Sequence, residues 1–203
     1  EINSVSDNPL ILSNGDMGFS GHFHAEHVAI ALDHMSIAIA EIGAISERRI
    51  HYFMKGVEGK FQPFLAKNPG IESGYMIAHV TASALASENK TLAHPASVDS
   101  LPTSGGQEDH VSMAPWAGSK LLTIQKNVLS ILAIELLIAG AAFTIYHSKL
   151  KPGNGTSFLL KNIQNIINAK KGDRSLTMEI NKLKDIIENG KIFKELKSKG
   201  LLE

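Results

Sequence analysis

The chain has 203 residues, 20 Lys+Arg against 20 Asp+Glu, and no cysteine. That length allows one domain with a sizeable core. The balanced charge gives no reason to expect a nucleic-acid partner, and the lack of cysteine excludes disulfides and thiolate zinc sites, as fits a cytoplasmic protein.

The charge balance hides an asymmetry, because residues 149–203 hold 12 Lys+Arg and only 6 Asp+Glu. These charges alternate in sign around Leu and Ile, which predicts solvated helix faces and neither a nucleic-acid nor a membrane patch. The chain opens at Glu1 without Met, a basic leader or a signal-like apolar run, and it reads as part of something longer.

Residues 1–20 are turn-rich, with Asn3 to Pro9 and Asn14-Gly15-Asp16 supplying side chains that bond their own backbone or tolerate positive φ. Leu10, Ile11 and Leu12 between them predict a short strand or an extended anchor. From about Gly21 to Phe53, Val28, Leu32, Met35, Ile39 and Ile42 recur at spacings of three and four, the period of a helix. Alanines fill much of the remaining surface, so this helix is expected to be buried on several sides. Glu26, Asp33 and Glu47 form one polar line along it, and Arg48 and Arg49 suit its C-terminal end.

Residues 54–69 form a loop punctuated by Gly56, Gly59, Pro63 and Pro69. A second helix is predicted from about Ile71 to Leu92, with Met76, Val80, Ala84, Ser87 and Thr91 on one side. A loop over residues 97–113 follows, broken by Pro102 and Gly105-Gly106, and then a third long helix to about His147. Within it, residues 128–146 carry one charge, Glu135, and have the length of a membrane span. Its neighbours are equally Ala-rich and carry buried-looking polar groups, so a core helix is expected and no membrane partner. Pro152-Gly-Asn-Gly155 is a linker, followed by amphipathic helices near 156–170, 176–188 and 191–198. The class is all-α. A long-helix bundle forming the core of an oligomer is expected over residues 1–148, with a smaller helical region over 149–203.

The chemistry concentrates in the third loop, where Gln107, Glu108, Asp109 and His110 stand in a row before the helix. Glu108, beside two glycines, can approach a ligand and act as acid, base or imidazole acceptor, or it can simply complement a helix dipole. Phe23, in Ser20-Gly-His-Phe-His-Ala-Glu26, is an aromatic side chain at a helix mouth. Asn8 precedes Pro9 and shapes a turn. His22, His24 and His27 have ligand chemistry, but their spacing straddles a loop and a helix and no carboxylate is clearly paired with them, so no metal is expected. There is no Gly-x-Ser-x-Gly turn to suggest a hydrolase.

The run Pro102-Thr-Ser, then Gln107-Glu-Asp-His-Val-Ser-Met113, resembles the signature of histidine ammonia-lyases in the aromatic amino acid lyase family. Further similar runs are Asn3 to Pro9, Ala40 to Arg49, Ser73 to Thr81 and Ala84 to Lys90, so the resemblance spans about residues 1–147. It departs at His22, where the pattern has Asn, and at Gly105-Gly106, where Ala-Asn is frequent.

The resemblance implies that Glu108 contacts the substrate imidazole and shares in catalysis, that Phe23 lies in the aromatic-substrate pocket, and that Asn8 lies near the prosthetic group. That group is a 4-methylidene-imidazol-5-one (MIO), cyclised from an Ala-Ser-Gly that this chain does not contain. The chain is therefore expected to be the C-terminal part of a lyase that converts L-histidine to trans-urocanate and ammonia. Its expected partners are the N-terminal portion of the same protein and further copies in a homotetramer, and it is expected to be inactive alone. Two other readings stay open: a non-catalytic helical scaffold or separate subunit, and a lyase or aminomutase acting on another aromatic amino acid.

Overall fold

Among the described residues there are three long helices: α1 (Glu26–Lys55), α2 (Met76–Leu92) and α3 (Ala114–Tyr146). Three shorter ones follow, α4 (Asn154–Ile163), α5 (Thr177–Glu188) and α6 (Lys191–Ser198). The only paired strands among the described residues are β1 (Leu10–Ile11) and β2 (Met17–Gly18), which form one antiparallel pair. The fold is all-α. This computed structural model describes residues 1–58, 60–147, 149–169 and 172–202. The expected turn residue Gly59, the expected boundary at 148 and the end of a helix near 170 lie outside the described residues.

Helix starts differ from the periodicity by one turn or more. α1 begins at Glu26 because His22–His24 form a separate 3-10 turn, closed by Ala25 in the left-handed region at φ 57°. α2 begins at Met76 because Gly70 and Gly74 have positive φ and break any helix from Ile71. Apolar spacing cannot register such backbone reversals, since it reads side-chain character and not φ.

The chain divides into two compact units. One comprises residues 1–41 and 88–125, and the other 42–87 and 126–203. In the second unit, Ile131, Ile134, Leu137, Ile138 and Ala141 of α3 are fully buried at helical spacing. They share a core with Ile50, Ala78, Ala82, Ile163 and Leu183. Burying each Leu or Ile side chain contributes about 1.5–3 kcal/mol. The linker does not separate the short helices from this core, since α4 and α5 each supply a core residue. Lys161, Lys182, Lys191, Lys194 and Lys197 point outward, the solvated face that the charge pattern predicted.

The polar groups on the long helices of this unit are spent on partners. Glu135 accepts from the Ser46 hydroxyl at 2.6 Å and from Arg49 Nη2 at 2.9 Å. Glu47 accepts from the Ser83 hydroxyl at 2.8 Å and meets His79 Nε2 at 3.0 Å, and Arg48 lies against it as well. Arg48 and Arg49 thus serve as ion-pair partners, and α1 ends at Lys55, within two residues of the end expected at Phe53. By length and composition, residues 22–55 and α3 could each cross a membrane, but half of the most apolar stretch of α3 is buried inside the protein.

Candidate active site

The third loop is built from its own backbone. The Thr103 amide donates to the Glu108 carbonyl at 2.9 Å, and the Glu108 amide returns a bond to the Thr103 carbonyl at 3.3 Å. The residues between them must reverse direction, and Ser104, Gly105 and Gly106 do so at φ values of 54°, 68° and 89°. Glycine enters the left-handed region without steric cost, which is what this tight reversal requires of Gly105 and Gly106. Further on, the Val111 amide donates to the Ser100 hydroxyl at 3.0 Å. Ser112 Oγ accepts from the Ala114 amide at 3.2 Å, capping α3. Pro115 sits in the first turn, where its missing N–H costs nothing.

Glu108 therefore lies on a bridged loop before α3 and not in the first turn of the helix, so complementing the dipole is not its role. Gln107, Asp109 and His110 are exposed and do not converge with it, and only Glu108 of the four is half-buried.

The partner of Glu108 comes from the other end of this unit: His24 Nε2 lies 3.0 Å from Glu108 Oε2. The His24 ring in turn packs against Phe23, centroids 4.2 Å apart at 36°. The Ser112 hydroxyl donates to the His24 carbonyl, so the residue that caps α3 also holds the 3-10 turn. Phe23 is 40% exposed and presents its ring at the surface of this group. The structure thus brings Phe23 and Glu108 to the same imidazole. Asn8 is tied to the same segment through its backbone, its Oδ1 accepting from the Ser20 amide at 3.2 Å.

The three histidines separate. His24 goes to Glu108, while His22 and His27 gather with Glu1 at the exposed surface, their possible ligand atoms within 4.8 Å of one another. His27 Nδ1 is paired with Glu1 Oε2 at 2.7 Å.

Beneath the loop lies a buried pair that sequence reasoning did not assign to the site. Asp33 Oδ1 is 3.5 Å from Lys120 Nζ, and Asp33 Oδ2 accepts from the Ser97 amide at 2.8 Å. Lys120 also donates to the His94 carbonyl. Burial pushes the Asp33 carboxyl up, but the Ser97 and Ala96 amides, the Ser97 hydroxyl and the Lys120 charge outweigh it and hold it below the usual range. This pair anchors the start of the loop that carries Glu108. The available signal was Asp33 on the polar line of α1 and Lys120 near the start of the apolar α3.

A family model for aromatic amino acid lyases matches residues 1–165. The chain belongs to the aromatic amino acid lyase family. It is 46% identical to the histidine ammonia-lyase of Caldanaerobacter subterraneus subsp. tengcongensis over 203 residues, all of this chain but 40% of that protein. It is 62% identical over 140 residues to that of Burkholderia mallei, covering 68% of this chain and 28% of the relative. The crystal structure of histidine ammonia-lyase from Trypanosoma cruzi superposes with a TM-score of 0.88 at 38% identity, covering 98% of this chain and 39% of that one. The chain thus matches 28–40% of the length of these relatives. The helical bundle, including α4 to α6, is the family's fold.

Proposed function

We propose that this chain is the C-terminal part of a histidine ammonia-lyase and supplies the side of the active site that recognises imidazole. The overall reaction is elimination of ammonia from L-histidine to give trans-urocanate. The observation that carries this reading is the half-buried Glu108 carboxylate, held on a rigid loop with Phe23 beside its imidazole partner. A carboxylate matches an imidazole N–H better than an amide does, because the hydrogen bond is charge-assisted. The family relatives named above favour histidine over other aromatic amino acids.

The MIO group would supply an electrophile, which makes a weakly acidic C–H next to imidazole removable. Its Ala-Ser-Gly precursor is not in this chain. Asn8 fits such a group: its Oδ1 is taken by the Ser20 amide, and the amide N–H2 is a donor of the kind an imidazolone carbonyl accepts. Of this chain's residues, Phe23 packs against the substrate ring, and Glu108 accepts the ring N–H and orients it or shares its proton. The assembly is a homotetramer in which the N-terminal portion completes each site. In support, Ile37, Ile42 and Ile45 of α1 and Ile77 and Val80 of α2 are exposed, an apolar surface that such an assembly would cover.

The test is Glu108→Gln in the full-length enzyme, which keeps the shape and removes the charge. A charge-assisted hydrogen bond contributes about 1.5–3 kcal/mol. That predicts a loss in kcat/KM for histidine of roughly ten- to over a hundredfold. Phenylalanine, with no N–H on its ring, should lose less or gain. Equal changes for both substrates would show that Glu108 does not read the imidazole.

A further inference from the structure

We infer that His24 is a positioning residue for substrate selection: its Nε2–H holds Oε2 of Glu108 and leaves Oε1 to receive the imidazole N–H of the substrate. The inference rests on the assignment of Glu108 as the imidazole acceptor and names what keeps that acceptor aimed.

The 3.0 Å contact between His24 Nε2 and Glu108 Oε2 fixes the direction of the bond. An ionised carboxylate only accepts, so the proton must lie on Nε2 of His24. A donor held at Oε2 leaves Oε1 as the acceptor for a substrate N–H. Both ends of the pair stand on backbone that is already pinned. The His24 carbonyl takes the Ser112 hydroxyl, and the Ala25 amide closes the 3-10 turn onto the His22 carbonyl at 3.0 Å. Glu108 is bridged to Thr103 in both directions. The His24 ring is braced from the side by Phe23. The Glu108 side chain itself has three rotatable bonds, and the contact with His24 restrains them. A carboxylate held by one imidazole at one oxygen then offers a fixed second oxygen to another, and the aromatic ring that braces His24 is the one proposed to pack on the substrate.

A purely structural His24 would brace the fold without touching selectivity, and a double-mutant cycle in the full-length lyase separates the two roles. The proteins are wild type, His24→Ala, His24→Gln, Glu108→Gln and the double variant His24→Ala with Glu108→Gln. For each, kcat and KM for histidine are measured, together with the inhibition constant of phenylalanine as a competitor. Loss of one hydrogen bond to a charged group predicts a rise of about tenfold in the histidine KM for His24→Ala. The phenylalanine inhibition constant should move far less. His24→Gln places an amide N–H2 at similar reach and should recover most of the affinity. In the Glu108→Gln background, His24→Ala should change little, because the group it positions has lost its charge.

Several outcomes overturn the assignment of His24. One is a full tenfold effect of His24→Ala on top of Glu108→Gln. Another is an equal loss for histidine and phenylalanine. A third is a Gln variant as poor as Ala, given that both fold as judged by urea unfolding. A Glu108→Gln enzyme with unchanged histidine kinetics overturns the Glu108 reading itself, and His24 with it. Selective loss of histidine in Glu108→Gln with additive effects of His24 refutes only the role of His24.

Discussion

Glu47→Gln tests whether the polar cluster of Glu47, His79 and Ser83 holds the second unit together. Glu47 is 4% exposed and accepts from Ser83 at 2.8 Å and His79 at 3.0 Å, with Arg48 against it. The Arg48 side chain is 65% exposed, so solvent screening leaves its pair worth about 0–1 kcal/mol. The two inner bonds matter more, since a hydrogen bond to a charged group contributes about 1.5–3 kcal/mol. Glutamine keeps one acceptor oxygen but turns an N–H2 toward the other donor, so one of the two bonds is lost. The expected cost is about 1.5–3 kcal/mol, or roughly 3–12 °C in Tm for a chain of this size.

The pH dependence sharpens the test. Burial pushes the Glu47 carboxyl up, but hydrogen bonds from Arg48, Ser83 and His79 and the Arg48 charge outweigh it, leaving it below the ordinary value. A carboxyl held low in the folded state stabilises fully above its unfolded pKa, about 4.3, and loses that contribution as pH falls through the folded value. Urea unfolding followed by circular dichroism should therefore show the full gap at neutral pH and a shrinking one below about pH 4. A variant within about 0.5 kcal/mol of wild type at neutral pH, or a gap unchanged into the acid range, would refute the reasoning.

Three further outcomes are expected. Leu183→Ala removes a fully buried side chain from α5 and should cost about 2–5 kcal/mol in the same unfolding assay, showing that the short helices share the core. The chain should associate with further copies through its exposed α1 and α2 apolar residues, giving an oligomeric mass by light scattering at micromolar concentration, and a monomer would contradict this. Purified alone, the chain should produce no urocanate absorbance from histidine, because it carries no Ala-Ser-Gly. Appearance of urocanate from material of verified mass would overturn that.

Local features of this chain were legible from its residues. The three-and-four spacing of Val28 to Ile42 marked α1, whereas of the linker read at Pro152 to Gly155 only Pro152 and Gly153 lie outside a helix, Asn154 and Gly155 opening α4. Gly105 and Gly106 marked a break in regular structure, which the structure builds as a reversal with positive φ at both. Glu108, Phe23 and Asn8 were singled out because whole runs of residues resemble a family, not because periodicity exposes chemistry.

Tertiary structure alone decided where the polar groups went. Asp33 found Lys120 and Ser97, Glu47 found His79 and Ser83, and Glu135 found Ser46 and Arg49. The pairing of His24 with Glu108 was equally hidden, and His24 had drawn attention only as a possible metal ligand. The physical reason is range. Helix periodicity and turn chemistry arise from interactions within a few residues, so they can be read along the chain. A buried charge instead needs a partner to offset its desolvation, and which partner it meets depends on which helix faces the fold packs together.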